Sequence, residues 1–129
     1  MKTPTLRFTI VIQAAMVTLL LGAPRAAMAH AYPAMESPCA GSTIKSSPDE
    51  VTILYNAPIE RTFAKLRVLD ARGQSHNSGA PSLGADHRTL SVKVGHLAPG
   101  QYKVEWQVVA DDGHRTSGSY TFTVAPDSR

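Results

Sequence analysis

One cysteine, Cys39, stands in a chain of 129 residues, so no intrachain disulfide can staple the fold. Aromatic residues make up only 6% and tryptophan occurs once, at Trp106. No stretch carries helical spacing over enough residues to support a helix, which excludes a bundle or coiled coil. No apolar run reaches the ~20 residues of a bilayer-spanning helix. The longest, from Phe8 to Leu21, has about fourteen and is interrupted by Thr9, Gln13 and Thr18. Internal repeats, linkers and a second domain are also missing. What remains must be a single modest domain whose core stands on packing alone.

The apolar run belongs to a three-part pattern. Lys2 and Arg7 precede it, and the small-x-small triplet Ala27-Met28-Ala29 follows it. This is the layout of a secretory signal, and it predicts removal of residues 1–29 after Ala29. The mature chain, 30–129, then starts at His30. The leader holds Lys2, Arg7 and Arg25 and no acid, so the 13 Lys and Arg fall to ten against ten Asp and Glu. The basic balance belongs to the export signal. A neutral mature chain has no electrostatic footprint for nucleic acid or anionic lipid, and nothing in it predicts membrane insertion after cleavage.

Short alternating runs fill the mature chain. Val51, Ile53 and Tyr55 share a face, as do Leu66 with Val68, and Leu90, Val92 and Val94. The longest alternation sets Tyr102, Val104, Trp106 and Val108 against Gln101, Lys103, Glu105 and Gln107; Tyr120, Phe122 and Val124 close the series. Turn signals separate the runs at Ser46-Ser47-Pro48-Asp49, Asn56-Ala57-Pro58, Ala71-Arg72-Gly73, Ser78-Gly79-Ala80-Pro81 and Ala98-Pro99-Gly100. The expected fold is all-β: a single antiparallel Greek-key β-sandwich, immunoglobulin-like, of about seven strands. Pro126 to Arg129 reads as a short polar tail, and Cys39 as a small half-buried hydrophobe near a turn, with a soft-metal ligand or an intermolecular thiol as alternatives.

Between the two strongest strands lies Asp111-Asp112-Gly113-His114-Arg115. Asp112 and His114 are two residues apart, so their side chains leave an extended backbone on the same side, and Gly113 allows a tight turn. The hairpin brings them to one end of the sandwich, within reach of the chain start. Cleavage before His30 would free its α-amine beside its imidazole, two nitrogens that chelate together. With the His114 imidazole and the Asp112 carboxylate the set is three nitrogens and one oxygen, which suits copper(II) in a tetragonal plane. Each donor binds without its proton, so affinity should fall as pH drops through the imidazole and α-amine range.

Asp111 is expected as a turn former or an acceptor orienting a ligand, Arg115 as a solvated hairpin charge, and Trp106 as core with its edge toward the metal. His76, His87 and His96 read as solvated loop histidines.

These stretches resemble the CopC family of periplasmic copper-resistance proteins over essentially the whole mature chain. The resemblance runs through His30-Ala31-Tyr32-Pro33, Ser37-Pro38-Cys39-Ala40-Gly41-Ser42, Leu54-Tyr55-Asn56-Ala57-Pro58, Leu97 to Trp106, and Asp112-Gly113-His114 with Gly118 to Phe122. It implies one copper(II) per mature chain, held by His30, Asp112 and His114, and an inner-membrane copper transporter as partner. Three departures narrow it. Met35 is the only methionine left after cleavage, against the Met-rich copper(I) loop of some members. No acid stands in Tyr55-Asn56-Ala57-Pro58, where some members place a Glu near the metal. Tyr32 occupies a position where many carry His.

An adhesive or structural sandwich without metal would take up no copper at stoichiometric levels, and beside it two copper-binding functions compete. One is a non-catalytic periplasmic copper binder that sequesters or delivers the metal. The other is a copper-dependent oxidative enzyme of the histidine-brace type, like the polysaccharide monooxygenases. Against the enzyme, the Asp112 carboxylate would fill the fourth equatorial position that a catalytic metal keeps open. The aromatics also fall mostly at inward strand positions, leaving no flat platform for sugar rings.

Overall fold

A computed structural model describes residues 30–127. The expected leader, residues 1–29, and the end of the polar tail lie outside the described residues. Among the described residues no helix is long and apolar enough to cross a membrane.

The alternating runs become strands because each buries one face. β3 (Glu50–Tyr55), β4 (Lys65–Leu69), β6 (Thr89–Lys93), β7 (Gly100–Val109) and β8 (Arg115–Val124) coincide with the five runs. Three more strands complete the set: β1 (Pro33–Ser37), β2 (Thr43–Ile44) and β5 (Ser82–Leu83). They pair as two four-stranded sheets, β1-β3-β6-β5 and β2-β8-β7-β4. Only β5 with β6 and β7 with β8 are neighbours in both sequence and sheet. Every other connection changes sheets, and so the halves are sewn together around one core.

The all-β sandwich stands as expected, with eight strands instead of about seven and one parallel pairing, β2 with β8. Between the sheets lie Val51, Ile53, Tyr55, Leu66, Val68, Leu90, Val92, Val104, Val108 and Phe122, none exposing more than 1% of its surface. Tyr102 and Phe122 stack at 5.7 Å, and Trp106 meets Tyr55 edge-on at 5.6 Å. At ~25 cal/mol per Å² of apolar surface, a set of this size is the main favourable term in a fold without a crosslink.

The longest pairing, β7 with β8, runs unbroken from Gly100↔Val124 to Val109↔Arg115. It is a rigid two-stranded arm whose turn, 110–114, sits at one end of the sandwich. The chain enters β1 at that same end.

Candidate metal centre

The turn closes through Ala110, whose N–H donates to the His114 carbonyl at 2.9 Å, and through Gly113, whose N–H donates to the Ala110 carbonyl at 2.8 Å. Gly113 takes φ of 85°, a left-handed conformation that costs a glycine little. Asp112 supplies the rest of the turn. Its Oδ1 accepts the His114 backbone N–H at 3.0 Å, and its Oδ2 lies 3.0 Å from His114 Nδ1. Both oxygens are thus committed to the residue two positions on, the arrangement by which Asp favours turns.

His30 meets this turn from the other end of the chain. Its ring stacks on that of His114, centroids 4.7 Å apart and planes 25° from parallel. One ligand atom from each of His30, Asp112 and His114 lies within 4.8 Å of the others, and no other such cluster of three His, Cys, Asp or Glu occurs among the described residues. The three residues singled out in the sequence are therefore neighbours in space. The His30 Nε2 is buried with no hydrogen-bond partner. One feature suits the three residues to a cation. The Asp112 carboxyl is held below the usual carboxylate range, first by the His114 backbone N–H, and also by its ring and that of His30, against a smaller opposing effect of burial. An ionised oxygen and two imidazoles form a nitrogen and oxygen donor set with no sulfur, which favours copper(II), nickel or zinc over copper(I).

Other expected residues sit elsewhere. Asp111 is exposed and donates its N–H to the Pro58 carbonyl at 3.3 Å, a turn contact only, and Arg115 is exposed. Trp106 is buried and packs against Tyr55 and Gly118, within the core. His87 and His96 are exposed loop residues as expected. His76 is not simply solvated: its Nε2 lies 2.9 Å from Asp70 Oδ2 and its ring meets Tyr102 edge-on at 5.5 Å. Cys39, expected half-buried, is exposed, because the turn that carries it lies on the surface between the sheets. Met35, the only methionine among the described residues, is 66% exposed on β1.

Thr116 and Asn56 were not singled out in the sequence, yet both bond to the chain start. Thr116 had a signal: it lies in the inward phase of Tyr120, Phe122 and Val124, a polar residue at a core position. Asn56 had none beyond its place in a turn.

Comparison with known proteins gives one consistent answer. The CopC domain family model matches residues 34–125. The chain is 31% identical over 114 residues to copper resistance protein C of Escherichia coli, covering 82% of this chain and 90% of that protein. It is 32% identical over 111 residues to copper transport protein CutJ of Bacillus subtilis, matching 84% of this chain but spanning only 20% of that protein. Among solved structures, CopC from Methylosinus trichosporium OB3b superimposes with a TM-score of 0.72 at 30% identity, covering 78% of this chain and 98% of that one.

Proposed function

The chain belongs to the CopC family, and from that premise we propose that its mature form is a periplasmic copper(II)-binding protein using His30, Asp112 and His114. The chain is a copper-resistance type of protein and not an enzyme, as its family is, which removes the oxidative alternative. The observation that carries the metal reading is the convergence of three nitrogen and oxygen donors within 4.8 Å at one end of the sandwich.

Cleavage after Ala29 supplies the fourth donor. The new α-amine of His30 and its ring Nδ1 close one chelate ring, so a single ordered residue contributes two bonds to one copper ion. In the metal-free geometry Asp112 Oδ2 faces His114 Nδ1, and it would leave that ring nitrogen to join the ion as a ligand. The likeness to a segment of a copper transport protein supports delivery to a membrane transporter as the use of the bound ion.

Copper(II) titration of the cleaved protein, beside a variant with one extra residue ahead of His30, tests the reading. The extension turns the amine into an amide and is expected to weaken binding by at least about 100-fold, the loss of one bond of a chelate. Equal affinity for both forms overturns the site.

A further inference from the structure

We propose that Thr116 and Asn56 are positioning residues for the metal site, clamping the two residues that follow His30 so that its donors are held over the Asp112–His114 turn before any ion arrives. The proposal deepens the copper(II) reading and rests on it.

The clamp has two jaws. On the β8 side, Thr116 Oγ1 donates to the Ala31 carbonyl at 2.6 Å, and Ala31 itself is 0% exposed, its methyl packed into the core. Thr116 is the one polar side chain that is buried among the described residues, and it follows His114 by two positions. On the β3 side, the Tyr32 N–H donates to Asn56 Oδ1 at 2.8 Å, and the Asn56 N–H donates to the Tyr32 carbonyl at 2.9 Å. This closed pair of bonds ties residue 32 to the end of β3. Since β3 and β8 belong to different sheets, the clamp spans the mouth of the sandwich.

A free chain start ordinarily frays. A chelator placed there loses affinity for every residue that must be ordered on binding, on the order of tenfold each. Here the ordering of residues 31 and 32 is achieved by folding, so the ion meets a prearranged donor set. The buried hydroxyl explains why a polar residue occupies an inward phase of β8: the Ala31 carbonyl needs a donor in a place that water does not reach.

Copper(II) titration of the secreted protein and of Thr116→Val, Thr116→Ser and Asn56→Ala tests the clamp. Valine keeps the volume and removes the donor; serine keeps the donor; Asn56 is exposed, so its replacement leaves the core intact. Thr116→Val and Asn56→Ala are each expected to weaken binding about tenfold, with Thr116→Ser restored to within about threefold. Amide hydrogen exchange in the metal-free protein should show Tyr32 protected in the parent and released in Asn56→Ala, while the β7–β8 amides stay unchanged. In a form that combines one extra residue ahead of position 30 with His30→Ala, which loses both donors of that residue, the Thr116→Val effect should vanish, because the clamp acts only through His30. An effect that persists there places Thr116 on the hairpin and overturns the proposal, as does parent-like affinity in both variants. If the parent takes up no copper, the metal reading falls and the positioning role with it; copper uptake that ignores the variants removes the clamp alone.

Discussion

The His30 and His114 imidazoles stack at 4.7 Å, although one ring stands ahead of β1 and the other in the β7–β8 turn. Two donors bound at ~2.0–2.1 Å to one ion are no more than about 4 Å apart. Adjacent donors are nearer, about 3 Å apart, so the present spread, within 4.8 Å, closes by up to about 2 Å. Lone pairs of imidazole lie in the ring plane, so near-parallel rings must turn toward each other when both bind. Binding should break the stack, and the His30 and His114 ring protons should lose their mutual ring-current shift on titration with a diamagnetic stand-in such as zinc. Unmoved resonances would mean that the two rings do not share an ion.

The two hairpin residues should separate by magnitude. His114→Ala removes a nitrogen donor and is expected to weaken copper(II) binding by more than about 100-fold. Asp112→Asn keeps the acceptor for the His114 N–H but loses the charge, and should cost about 10–100-fold, because a neutral amide oxygen is a weaker donor to the ion than a carboxylate. Both residues are exposed, so neither change should move stability by more than ~0.5 kcal/mol. Competition with a chelator of known affinity and a urea melt of the metal-free forms check the two halves.

Acid should attack a different part of the fold. Asp86 accepts the Thr89 hydroxyl at 2.6 Å and the Arg88 and Thr89 N–H groups at 3.0 Å each, which lowers its carboxyl from 3.8 to about 2. Asp70 is lowered too, first by its bond to His76. A carboxyl depressed in the folded state binds protons more weakly there than in the unfolded chain. Its contribution is complete above the ordinary value and lost as pH falls through the folded one. Thermal midpoints measured from pH 5 to pH 2 should fall for the parent and fall less for Asp86→Asn. Parallel curves would show that this loop contributes nothing in acid.

Most of the core was legible because alternation over five or more residues is a strong signal. Val51, Ile53 and Tyr55, or Tyr102 through Val108, announce their buried face without further context, and all of them are buried. The hairpin turn was legible for the same reason, since Asp112 and His114 lie between two long strands. β2 and β5 were not: two residues cannot display a period. β1 was hidden because it is an edge strand with a bulge between Pro33 and Met35, and its residues are exposed or half-exposed. The partner of Thr116 comes from the far end of the chain, and no local pattern encodes a bond of that kind.

Edge protection provides a fourth test. β4 is the last strand of its sheet, and Asn77 covers its free edge in place of a neighbour. Asn77 Oδ1 accepts the Val68 N–H at 2.9 Å, and its Nδ2 donates to the Leu66 carbonyl at 2.8 Å. One amide side chain thereby imitates the peptide group of an absent strand. Asn77→Ala should cost about 1–3 kcal/mol for the half-buried groups left without partners. It should also promote concentration-dependent association, because an uncovered edge recruits strands from other molecules. Sedimentation at increasing concentration reads the second effect; a monomer as stable as the parent would mean that water replaces the amide freely.

The last test concerns a close approach inside the β7–β8 arm. Gly118 stands opposite Trp106 in the ladder, and a Cβ there would lie 2.7 Å from the indole Cζ2 and 3.0 Å from Cε2. The indole has little room to retreat, since it is only 8% exposed and meets the Tyr55 ring edge-on. Gly118→Ala gains roughly 0.5–1 kcal/mol from a stiffer unfolded chain but forces an overpacked contact worth about 1–3 kcal/mol. The contact should win, leaving a net loss on the order of 1–2 kcal/mol. Trp106 is the only tryptophan, so denaturant melts followed by its fluorescence report from the contact itself. In a Trp106→Phe background, followed by circular dichroism because the indole is gone, Gly118→Ala should be nearly neutral, since the smaller ring leaves space for the methyl. A single variant as stable as the parent would show that the indole shifts at no cost and that backbone entropy decides the sign.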